Sequence, residues 1–95
     1  MTIEDKAAAY LNPVLTDCLE QRTALGVAKY GQRLEDNDQP FRARLIHLMQ
    51  ELLDATQYAV WAGLYGYAHD IADTANELQS EWGLTADEIM SGGKR

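Results

Sequence analysis

Apolar residues recur along this chain at intervals of three or four positions, and sustained alternation with polar residues is absent. Intervals of three and four indicate helices with one apolar face, whereas alternation would indicate strands. β-Branched residues, which favour strands, are sparse. The pattern therefore predicts an all-α chain.

Capping residues and glycines mark the ends of the predicted helices. Asn12 and Pro13 form a helix start, with asparagine as the N-cap and proline at the first helical position. Gly31 is a natural stop for that helix, and Gly66 predicts a break or kink in a later one. The predicted helices cover residues 2–11, 13–30, 40–65, 67–82 and 85–90.

These elements predict one domain over residues 1–95, a helical bundle of about four helices with a long central helix. The chain has 95 residues, of which 46% are hydrophobic, which is enough for one small core. No apolar run reaches the length of a membrane span, and no secretory signal is present. With Cys18 as the one cysteine, an internal disulfide is excluded. We expect a soluble cytoplasmic protein with Cys18 as a small core residue.

The formal net charge of −7 argues against nucleic acid as a partner. Binding to DNA or RNA depends on neutralising phosphates with basic side chains, which an acidic chain does not provide. A divalent cation reverses the local sign of an acidic pocket. Nucleic acid and membrane are therefore not expected as partners, whereas a metal-bound nucleotide remains open.

Two pairs of acidic residues, Glu51 with Asp54 and Asp70 with Asp73, are the candidate chemical groups. Residues three apart lie on one face of a helix, so two packed helices would bring four carboxylates together. Carboxylate oxygens are ligands that Mg²⁺ prefers, usually beside substrate phosphates. The alternative is that both pairs are ordinary solvated helix surface.

The third predicted helix has an apolar arc and an unusual opposite face. Projection at about 100° per residue places the acidic pair of this helix opposite the apolar arc. Tyr58, Trp61 and Tyr65, the aromatic stripe, continue from that pair and predict a covering helix, a second subunit or a ligand. The arc expected to face the core comprises Leu45, Leu48, Met49, Leu52, Leu53, Thr56, Ala59, Val60 and Gly63.

Two other helices carry further expectations. On the second, Arg22 and Lys29 point to the same side as the apolar residues, so each requires a carboxylate or phosphate partner unless its stem extends to the rim. The residues of the fourth helix expected to be buried are Tyr67, Ala68, Ile71, Ala75, Leu78 and Trp82.

These motifs resemble those of the MazG-like nucleoside triphosphate pyrophosphohydrolases, an all-α superfamily. The segments 51–54 (Glu-Leu-Leu-Asp) and 70–73 (Asp-Ile-Ala-Asp) resemble its two acidic helix motifs, each with aspartate at one position where the family prefers glutamate. The segment 29–31 (Lys-Tyr-Gly) is similar to one that precedes the first motif in small phage and mobile-element members.

The resemblance implies Mg²⁺-dependent hydrolysis of a nucleoside triphosphate to a monophosphate and pyrophosphate, in a homodimer or higher homo-oligomer. It implies that Glu51 and Asp54 are catalytic and that, with Asp70 and Asp73, they hold Mg²⁺ or Mn²⁺. The substrate-binding residues that it implies are Arg22 and Lys29 for phosphate, and Tyr30, Tyr58 and Trp61 for stacking on the base.

A second hypothesis assigns no catalytic activity to the chain. In it the chain is a non-catalytic, oligomeric helical adaptor that binds protein through the face of Tyr58, Trp61 and Tyr65.

Overall fold

The computed structural model describes residues 2–31, 34–36 and 38–91, except for the side chains of Tyr30 and Asp36. All regular structure in these ranges is helical, which confirms the all-α class. The helices are α1 (Ile3–Ala8), α2 (Pro13–Tyr30), α3 (Phe41–Trp61), α4 (Tyr65–Trp82) and α5 (Ala86–Ser91), with a 3₁₀ turn at Leu34–Asp36. The chain divides into two compact units, Met1–Asp38 and Gln39–Arg95, so the single domain stays a prediction.

The first unit consists of α1, α2 and the 3₁₀ turn, and local capping defines its helices. At the start of α1, the hydroxyl of Thr2 accepts from the backbone N–H of Asp5, whose carboxylate accepts from that of Thr2. Asn12 Oδ1 accepts from the N–H of Leu15 at 2.9 Å, which caps α2 as the sequence predicts. α1 packs on α2, yet no described residue from 2 to 40 is fully buried.

The second unit is a hairpin of α3 and α4, with α5 packed on α3. The hairpin turns at Gly63, which has a φ of +79°, and the N–H of Leu64 donates to Ala59 O at 2.8 Å. This left-handed closure ends α3 at Trp61, so the extension to Tyr65 predicted from sequence is wrong. Gly66, where a break was predicted, lies inside the first turn of α4.

A second left-handed glycine directs the chain back into the core after α4. Gly83 has a φ of +59°, and the N–H of Leu84 donates to Gln79 O at 3.1 Å. This closure leaves Leu84 only 2% exposed. The core of the unit combines α3, α4 and Leu84, with Ile89 of α5 packed against it: Leu45, Ile46, Met49, Ala75 and Leu84, flanked by Leu52, Leu78 and Ile89.

The buried faces are narrower than the sequence predicts. On α3, Leu48, Leu53 and Val60 are exposed, because the fully buried residues of this helix are Leu45, Ile46, Met49 and Ala59. On α4, Ala68 and Ala75 are buried and Ile71 and Leu78 half-buried. Tyr67 and Trp82 are exposed, contrary to prediction, with Trp82 edge-on to Phe41 at a centroid distance of 5.0 Å.

Candidate functional site

Glu51 and Asp54 lie on the exposed side of α3, as the helical projection predicts. They are roughly 160° and 140° around the helix from the buried Met49. Glu51 Oε1 lies 3.8 Å from His47 Nε2, one turn earlier on the same helix. Asp54 makes no side-chain hydrogen bond or ion pair within the described residues. The pair thus presents two accessible carboxylates, and the imidazole of His47 lies close to that of Glu51.

Asp70 and Asp73 lie on α4 and are grouped with a histidine. His69 Nδ1 is 3.4 Å from Asp73 Oδ2 and 3.8 Å from Asp70 Oδ1, and all three side chains are exposed. One ligand atom from each of the three lies within 4.8 Å of the others. His69 is not among the site residues predicted from the sequence, although its spacing of four from Asp73 places both on one helix face.

The structure does not bring the two acidic pairs into one metal-ligand group. Among the described residues, the one set of three or more His, Cys, Asp or Glu side chains with converging ligand atoms is His69, Asp70 and Asp73. Glu51 and Asp54 belong to no such set there. A single chain therefore offers two separate acidic faces, one on each helix of the hairpin.

The electrostatic surroundings of both pairs are acidic. Between Leu45 and Ser91 the sequence has eight Asp or Glu residues and no Lys or Arg. Arg42, at the start of α3, is engaged by Glu88 of α5. Among the described residues, the side chains that pair with these acids are His47 and His69. A cation approaching this part of the hairpin therefore meets carboxylates that no described Lys or Arg neutralises.

The aromatic stripe is exposed but does not lie on one helix. Tyr58 is 65% exposed and Trp61 86% exposed on α3, whereas Tyr65 is 69% exposed as the first residue of α4. The expectation that all three continue a single helix is therefore wrong, because Gly63 ends α3 before Tyr65. All three side chains are exposed, and no described residue of the same chain covers them.

The turn of the hairpin encloses a shallow, open concavity of about 610 Å³. It brings Tyr65 of the aromatic stripe beside Asp70 of the second acidic pair. Its lining residues are Gly63, Leu64, Tyr65, Gly66, Tyr67, His69 and Asp70.

The three remaining candidates belong to the first unit. Arg22 and Lys29 are exposed on α2, and Arg22 has no hydrogen-bond or ion-pair partner among the described residues. Tyr30 is the last residue of α2, but its side chain lies outside what the structure describes.

Comparison of the chain with protein-family models, curated proteins and solved structures gives no match. Within the described residues, no helix combines the length and apolar character needed to cross a membrane.

Proposed function

We propose that this chain is a subunit of a magnesium-dependent nucleotide pyrophosphohydrolase whose site is completed by a second chain. The observation that carries this proposal is the position of Glu51 and Asp54. They are accessible, one turn apart, turned away from the hairpin core and without a Lys or Arg partner among the described residues.

The donor set fits a hard divalent cation. Mg²⁺ prefers oxygen ligands, retains several waters and is commonly bound through one or two carboxylates together with substrate phosphates. Glu51 and Asp54 supply two carboxylates on one face of α3. Asp70 and Asp73 supply the second pair, from the α4 of another chain packed against this face.

When bound, Mg²⁺ supplies neutralisation of the triphosphate charge and activation of a water molecule. Glu51 and Asp54 would hold the cation beside the triphosphate and would orient the attacking water, and Asp70 and Asp73 would complete the ligand set. Arg22 and Lys29 bind phosphate oxygens as fixed positive charges. Tyr30, Tyr58 and Trp61 supply aromatic surface for the base. The products are a nucleoside monophosphate and pyrophosphate.

Calorimetric titration with Mg²⁺ and with Mn²⁺ tests the site. We expect Glu51→Gln to weaken binding by at least about tenfold, since the carboxylate is replaced by a neutral group. Glu77→Gln, which removes an exposed acid of α4 outside the proposed ligand set, is the matched control and should bind like the wild type. Equal affinity of wild type and Glu51→Gln would remove the site.

A second function, as a non-catalytic interaction protein, is favoured by the exposed aromatic stripe. Three large aromatic side chains near one hairpin turn, each at least 65% exposed, are unusual unless another molecule covers them. Aromatic residues of this kind are enriched at protein interfaces. In this alternative the acidic faces serve solubility and partner selection, and no nucleotide is hydrolysed.

A further inference from the structure

α2 has two opposite sides that differ in burial. One side is half-buried and consists of Thr16, Leu19, Thr23, Gly26 and Val27. The other side is exposed, and Val14 and Leu25 on it are each 71% accessible. We define this exposed side as the α2 seam: Val14, Cys18, Gln21, Leu25 and Ala28.

The α2 seam has the spacing of a coiled-coil contact. Its members follow one another at intervals of four, three, four and three residues, which is the heptad pattern that lets two helices pack along their length. Cys18 was expected in the core of the chain itself, but it is exposed here. Gln21 is the one uncharged polar side chain among its members.

The first unit needs a covering surface. None of its described residues is fully buried, and most of the stability of a helix in a protein comes from packing of an apolar face against other elements. The exposure of Val14 and Leu25 to water therefore has a free-energy cost, which packing against another helix would remove.

We propose that the α2 seam is an interface between two copies of this chain, in which the two α2 helices lie parallel and in register. In a parallel pair, the residue that immediately precedes Cys18 or Leu25 faces the residue five positions later on the partner helix. Asp17 and Arg22 are related in this way, so a symmetric pair makes two identical ion pairs. Neither side chain has a partner among the described residues of its own chain.

Charge also favours a parallel over an antiparallel arrangement of the two α2 helices. Arg22 and Lys29 lie on the same flank of the seam. In an antiparallel pair, the flank with Arg22 and Lys29 would face the same flank of the second copy, and the like charges would repel. The inference does not rest on the proposed catalytic function, but it revises one residue assignment of that proposal. It assigns Arg22 to the interface and leaves Lys29 as the phosphate contact of α2.

The native cysteine provides the test. In a parallel, in-register pair Cys18 lies opposite Cys18 of the second copy, and diamide oxidises the two thiols to a disulfide while taking up their hydrogens. We expect the wild-type chain to give a covalent dimer on a non-reducing gel. Cys18→Ser combined with Leu25→Cys should also cross-link, because Leu25 likewise faces its own copy.

The matched control is Cys18→Ser combined with Glu20→Cys, which places an exposed thiol on α2 outside the seam. It should cross-link at least about tenfold more slowly, because only the seam thiols are held together. Equal rates at positions 18 and 20 would overturn the proposal. So would cross-linking only in a mixture of Val14→Cys and Leu25→Cys chains, each in the Cys18→Ser background, because that pattern requires an antiparallel pair.

A charge exchange tests the ion pairs separately. Asp17→Arg and Arg22→Asp should each lower the dimer fraction in sedimentation, and the double variant should restore it. Helix content from circular dichroism shows whether each variant is folded. Folded single variants that dimerise like wild type, or a double variant that fails to recover, would contradict the Asp17–Arg22 pairing.

Discussion

Arg42, in the first turn of α3, binds Glu88 of α5 through two guanidinium nitrogens, with Nη2 donating to Oε1 at 2.9 Å. The same guanidinium donates to Trp82 O at 3.0 Å and to Gly83 O at 3.2 Å, where α4 ends. Glu88 Oε1 in turn accepts from the N–H of Thr85. One arginine thus connects α3, the end of α4 and the start of α5.

This arrangement predicts an acid-dependent loss of stability. The hydrogen bond from Arg42, and then that from the Thr85 N–H, lowers the pKa of Glu88 from 4.5 to about 2. A carboxyl with a lowered pKa in the folded state stabilises the fold above its unfolded pKa, and this contribution is lost as pH falls toward the folded pKa. Glu88→Gln should therefore melt lower than wild type at pH 7, with the gap closing between about pH 4.5 and about pH 2.

Thermal melting of wild type and Glu88→Gln across this pH range measures the effect. Asp87→Asn, at the neighbouring exposed acid of α5, is the control and should show a smaller gap at pH 7. A difference between wild type and Glu88→Gln that stays constant from pH 7 to pH 2.5 would contradict the role of the Arg42 pair.

Two neighbouring residues of α3 should differ in their effect on stability. Met49 is 2% exposed at the centre of the core, whereas Leu48 is 46% exposed. Met49→Ala should lower the free energy of unfolding by about 3 kcal/mol, because it removes buried apolar atoms and leaves a cavity. Leu48→Ala should cost less than about 1 kcal/mol. Urea denaturation measures both, and equal losses would show that the buried stripe is misassigned.

Local chemistry explains which parts of the fold the sequence predicts well. Asn12, Pro13 and Gly31 act on their own helix, so the bounds of α2 follow from the residue types alone. Gly63 and Gly66 are equivalent as sequence signals, and only the closure around Ala59 decides which of them ends α3. The exposure of Leu48 and Tyr67 also escapes sequence reasoning, because it depends on how few helices pack on α3 and α4.

The candidate site also follows only in part from the sequence. Helical spacing correctly places Glu51 and Asp54 on the side of α3 away from the core. Spacing within one helix says nothing of whether Asp70 and Asp73 converge on them, because that depends on packing between helices or chains. Within the described chain they do not converge.

The aromatic stripe predicts a concentration-dependent assembly. Trp61 is 86% exposed near the hairpin turn. A tryptophan that becomes buried in an interface often contributes a large part of the binding free energy. Trp61→Ala should weaken self-association by about tenfold or more. Light scattering over a dilution series measures this, with Tyr10→Ala, which alters a 90% exposed aromatic of the first unit, as control. The same dilution curve for Trp61→Ala and wild type would exclude this face from the assembly.

The catalytic proposal is tested most directly by pyrophosphate release from a panel of canonical and modified nucleoside triphosphates with Mg²⁺. We predict release from at least one of them by wild type and by Glu77→Gln, and a loss of at least about a hundredfold in Glu51→Gln, since the metal is then poorly held. Absence of release from every nucleotide by the folded wild-type protein would contradict the account and favour the interaction protein instead.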